Sequence, residues 1–149
     1  MYIDVVDSPQ WPVVEERAAA AALRAHALSI AEVAGGPLAR WSTVATPAEN
    51  PDGSFVEGGI WQLTGHARIP LPADRHLRAL QRLHDWWAGN GYQVGEVNAF
   101  PDRAGGAVQA TEARRRLDII VQSADTAQWL ALLAMTRGYA PAPGERPYG

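Results

Sequence analysis

The stretch WQLTGHARI, residues 61–69, decides the fold. Its odd positions, Trp61, Leu63, Gly65, Ala67 and Ile69, are apolar or small, and its even positions, Gln62, Thr64, His66 and Arg68, are polar. A period of two sends successive side chains to opposite faces of a strand, so this strand turns one face to a core and the other to water. A sheet covered on one side only is an antiparallel one, because the crossover helices of a parallel sheet cover both faces. The apolar side therefore needs helices, and the polar side is the surface on which to look for function.

Working outward, Pro70 and Pro72 introduce a helix, ADRHLRALQRLHDWWAG, residues 73–89. At 100° per residue Ala73, Leu77, Leu80, Leu83, His84 and Trp87 share one face, and Asp74, Arg75, Arg78, Gln81, Arg82 and Asp85 share the other. That reading puts Trp87 in the core stripe and Trp86 at its border, one turn from Arg82, where a guanidinium can stack on the indole. Upstream, Pro12, Glu15 and Glu16 lead into an Ala-rich helix over about residues 12–34, halted by Gly35-Gly36-Pro37, with Leu23, His26, Ile30 and Val33 on one stripe. Between the two, WSTVAT at 41–46 is β-prone, and the turn-rich stretch after it reads as a loop.

Downstream, YQVGEVNAF (92–100) reads as a strand, PDRAGG (101–106) as a hairpin turn, and AVQATEARRRLDIIVQS (107–123) as one long or interrupted strand. Residues 127–137 fit either a helix capped by Asp125 or Thr126, or a strand with Trp129, Ala131, Leu133 and Met135 on one side. The short link SADTAQ after a strand favours the second reading. The expected fold is a single α+β domain over residues 1–141, an antiparallel sheet of about four to five strands with two helices packed on one face in a two-layer sandwich. Residues 142–149 read as an irregular, mobile C-terminal tail.

Composition narrows the chemistry. A chain of 149 residues, 47% hydrophobic, can bury one core without staples. The 13 basic residues are all Arg, and the net charge of -3 opposes the broad positive field that non-specific nucleic-acid binding needs. With no Cys there is no thiol catalysis, disulfide or Cys-based zinc site. Neither a membrane span nor a signal peptide is legible, and the chain reads as soluble as it stands; membrane association then follows only where an anchor precedes this sequence.

Four histidines are the first candidates for a metal or a base. His76 and His84 are two helical turns apart, roughly 12 Å along the axis, too far to share an ion. Both read, like His26, as structural residues at the edge of an apolar stripe. His66 differs because it faces water between Thr64 and Arg68, where an imidazole, a hydroxyl and a guanidinium in one row suit anion binding or general-base chemistry. No G-x-S-x-G, P-loop or dinucleotide pattern is present, and nothing calls for a cofactor. Glu96 and Asp118 lie on expected strands and could face one another, and Arg114-Arg115-Arg116 is either a solvated run or an attractor of anionic headgroups or an acidic partner.

The segments GGIWQLTGHARIPL, LHDWWAGNGYQV, RRRLDIIVQS and LLAMTRGYAP together resemble small extracytoplasmic proteins of actinobacteria, many of them lipoproteins or single-span proteins. The pattern covers about residues 59–141, from strand through glycine-terminated helix to hairpin and closing strand. This chain lacks the lipid-attachment Cys and the Cys that such proteins often carry near the closing strand, where Thr136-Arg137-Gly138-Tyr139 stands instead. The resemblance implies an extracytoplasmic, membrane-anchored setting and supplies no catalytic residue.

These readings lead to a non-catalytic binding or accessory module that presents Gln62, Thr64, His66 and Arg68, or the Arg82 and Trp86 edge, to a protein or cell-envelope partner. Two alternatives stand beside it: a small cup-shaped enzyme with His66 as base assisted by Arg68 or Glu96, and a structural subunit of a larger assembly. The sequence does not set the oligomeric state.

Overall fold

The computed structural model describes residues 11–112, 114 and 117–148; residues 1–10, Ala113, the Arg115-Arg116 pair and Gly149 lie outside them. Nine strands and two α-helices are described: β1 (Val13–Val14), α1 (Glu16–Ala34), β2 (Ala39–Pro47), β3 (Trp61–Pro70), α2 (His76–Gly89), β4 (Gln93–Val94), β5 (Asn98–Ala99), β6 (Gly106–Glu112), β7 (Leu117–Ser123), β8 (Trp129–Thr136) and β9 (Ala140–Pro141). The main sheet is antiparallel throughout, in the order β2-β3-β8-β7-β6-β4, with β5 also pairing with β6. β1 and β9 form a separate parallel pair.

The α+β class and the antiparallel sheet with two helices are as expected, but the sheet has seven strands, not four to five. Two segments account for the difference. Residues 92–100 break into the two-residue strands β4 and β5, and residues 107–123 fold back into the β6/β7 hairpin. That reversal falls at Arg114, in a run of Glu, Ala and Arg without the Gly, Pro or Asn that usually marks a turn. Residues 129–136 are a strand despite the helix propensity of Ala, Leu and Met, because β8 pairs on both sides, with β3 and with β7.

Both helices pack on one side. α1 lies over β2, β3 and β8, and α2 over β4, β6 and β7. Beneath them the inward side chains form rows across the strands, one of which runs Ala67, Leu132, Val121, Val108, all buried. Gly65 is small for a reason: a Cβ there would collide with the Trp41 ring, which packs across it beside Leu23. α1 begins at Glu16 and not at residue 12, because the preceding residues form β1. Its first exposed donor, the Glu16 N–H, is taken by the Glu145 carboxylate at 3.1 Å, and Gly35 ends the helix at φ +95°. Glu145 and Tyr148, which packs against the core, thus tie the irregular tail to the domain.

α2 is rotated from the expected orientation. Its buried face is His76, Ala79, Leu80, Leu83 and Trp87, while Leu77 is 45% exposed. The cause is His76, which is fully buried instead of lying at the stripe's edge. Its Nε2 donates to the Leu71 carbonyl at 2.9 Å, and its Nδ1 shares a hydrogen bond of 2.8 Å with the Ser123 hydroxyl. The same Ser123 oxygen accepts the Gly106 N–H at 3.1 Å. With both ring nitrogens bonded, the imidazole is buried without an unsatisfied group and pins the start of α2 to β6 and β7.

Candidate functional site

The uncovered side of the sheet carries the even residues of β3. In cross-strand register they form three rows: Val44, Thr64, Met135, Asp118, Thr111; then Ser42, His66, Leu133, Ile120, Gln109; then Arg68, Ala131, Gln122, Ala107. Polar residues border this face, but its centre is apolar, because β8 and β7 contribute Leu133, Met135, Trp129 and Ile120, all half-buried. A shallow concavity of about 440 Å³ opens here, lined among others by Arg40, His66, Arg68, Ile120, Trp129 and Leu133.

Local backbone explains how the basic groups reach it. Arg40 has φ +55° and sits where the β2/β3 register shifts between Ala39 and Ser42, a bulge that re-aims its side chain. Arg68 lies 4.1 Å above the Trp129 ring, so its charge is held over an aromatic face. Among the described residues none of Arg40, His66 and Arg68 has a carboxylate partner. The acid nearest the apolar centre, Asp118, is already engaged by both nitrogens of the Arg137 fork, at 3.1 and 3.2 Å, and by the Thr111 hydroxyl at 2.9 Å. Partial burial pushes its carboxyl up, but the Arg137 and Thr111 bonds outweigh that and hold it below its ordinary value of 3.8.

The residues singled out from the sequence fall into two groups. Gln62, Thr64, His66 and Arg68 share the open face, with Gln62 Nε2 directed to the Met135 sulfur at 3.5 Å. Arg82 and Trp86 lie on α2, behind the sheet, and do not meet each other: Arg82 lies beside Gly35 at the end of α1, whereas Trp86 packs toward His26 and Tyr92. Glu96 lies between β4 and β5, with β6, β7 and β8 between it and β3, so about 19 Å of sheet separates it from His66. Met135, Trp129, Ile120 and Arg40 were not singled out for this face; the alternation of 129–135 was the one signal that could have indicated the first two.

Two other features meet parts of a site description. Ser123 and His76 stand at nucleophile-to-base distance, but both are sealed and the second imidazole nitrogen is committed to a backbone carbonyl, so the pair is a structural lock. A hollow of about 620 Å³ lies between α1 and the β7/β8 end, lined by Leu23, Leu117, Thr136, Arg137 and Tyr139 among others. Its polar groups are largely spent: Arg137 on Asp118, and Thr136 on the Leu63 backbone. Among the described residues no three His, Asp or Glu side chains gather as a metal site, and no helix is long and apolar enough to cross a membrane. No family model, no curated protein and no solved structure matches the chain.

Proposed function

We propose that the protein is a non-catalytic binding module whose open sheet face receives a partner protein with an apolar centre and an acidic rim. The observation that carries this is the contiguous apolar patch of Ile120, Leu133, Met135 and Trp129, bordered by Arg40, His66 and Arg68 without acidic partners. An apolar centre supplies affinity, and a charged rim steers encounter and fixes orientation. In a chain of net charge -3 this basic border is local, and it favours an acidic partner surface over nucleic acid. The setting implied by the sequence resemblance would make that partner an envelope protein.

The enzymatic reading has less support. A general base needs a group that orients it, and among the described residues nothing hydrogen-bonds to His66. The test is photocrosslinking in the native host from a reactive residue at position 64. An adduct is expected that is lost in Leu133→Arg and weakened in Arg68→Glu, and kept in Gln81→Arg on the helical side. Adducts that form equally well in the Leu133→Arg protein would overturn the reading.

A further inference from the structure

The two edges of the sheet are built differently. One ends in β4 and β5, two residues each with Gly95, Glu96 and Val97 between them, which leaves little continuous backbone for another strand. The other is β2, nine residues long and paired with β3 in unbroken register from Ser42 to Pro47. Among the described residues no strand pairs with the outer side of β2, so its outward N–H and C=O groups have no ladder. The usual protections stand only at its ends, the Arg40 bulge and Pro47. Between them runs the uncharged WSTVAT, and at its middle Val44 is 50% exposed.

We propose that β2 pairs antiparallel with β2 of a second copy, about a two-fold axis at Val44. In that register Val44 faces Val44 of the partner, Thr43 faces Ala45 on the helix side, and Ser42 faces Thr46 on the open side. An apolar β-branched pair flanked by hydroxyl pairs is a favourable cross-strand set, and no two charges are opposed, because Arg40 falls beyond the paired stretch. The seam is self-complementary, which is what a two-fold interface requires and an unrelated peptide would not provide. It also closes, since each copy spends its one long edge and the broken edge cannot propagate the sheet. The two open faces then join along the Val44, Thr64, Met135 row. This pairing stands independently of what the open face binds.

The absence of Cys makes the register testable in the full chain. In Val44→Cys the two Cβ atoms lie about 5 Å apart, close enough for a disulfide after slight adjustment. In Ser42→Cys they are four residues out of register, about 13 Å apart, too far to bridge. Mild oxidation is expected to link most of the Val44→Cys protein and little of the Ser42→Cys protein. By sedimentation the native chain should have twice its 16.1 kDa mass, and Val44→Lys, at an exposed position, should keep its circular dichroism while weakening the dimer more than about tenfold. A monomer at high micromolar concentration, a dimer indifferent to Val44→Lys, or equal crosslinking at 42 and 44 would each overturn the proposal.

Discussion

His76 is sealed behind the sheet with both ring nitrogens bonded, while His66 stands on the open side, where none of the described residues hydrogen-bonds to it. The contrast extends to some of their neighbours. Among the described residues the buried polar side chains His76, Ser123 and Thr136 are all hydrogen-bonded, and the exceptions, the indole nitrogens of Trp61 and Trp87, belong to rings whose burial is otherwise favourable. On the open side, among the described residues, Arg40, His66 and Arg68 have no carboxylate partner and stand beside half-buried apolar side chains. Unspent hydrogen-bonding capacity next to a hydrophobic centre is what a binding face needs.

Substitutions can break or sharpen that contrast. The largest effect is expected for Trp87→Ala, about 3 to 5 kcal/mol in a denaturant titration, against a much smaller loss for the half-buried Trp86→Ala. Equal losses would mean that α2 does not present Trp87 to the core. Next comes Ser123→Ala, expected to cost about 1 to 3 kcal/mol because it strands the His76 nitrogen and the Gly106 N–H; a neutral result would remove the buried lock.

Asp118→Asn probes the open side and should show its cost through pH. The folded carboxyl lies below its unfolded value of 3.8, so the Arg137 pair stabilises above that pH and the contribution fades as pH falls through the folded value. Native and Asp118→Asn proteins should therefore differ in urea midpoint at pH 7 and converge once the pH has fallen below the folded carboxyl's lowered value. The smallest change is expected for His66→Ala, within about 0.5 kcal/mol, as for a surface substitution. A large drop there would show that the open side is closed.

Legibility in the sequence followed the same divide. The alternation of Trp61 through Ile69 announced β3 and its wet face correctly, because nothing non-local competes with a period of two at that strand. The orientation of α2 was misread because an unpaired histidine is a polar residue, and Ser123, which makes His76 buriable, is 47 positions away. The β6/β7 hairpin was hidden by a turn without turn residues, and β4 and β5 by their shortness. On the open face His66 and Arg68 were visible as a polar row, but the apolar centre beside them comes from β7 and β8, whose place next to β3 only the tertiary pairing determines.

That placement of β8 against β3 governs how the molecule assembles itself. α1, β2 and β3 are neighbours in sequence, as are α2 and the strands from β4 to β8, yet the sheet becomes whole only when Thr64 meets Met135. Joining them closes a loop of about 70 residues before any reward is returned, so refolding should run on the millisecond-to-second scale typical of non-local topologies. Until that closure both halves would expose unzipped strand margins, and a nascent or heat-shocked chain would be most vulnerable at that moment.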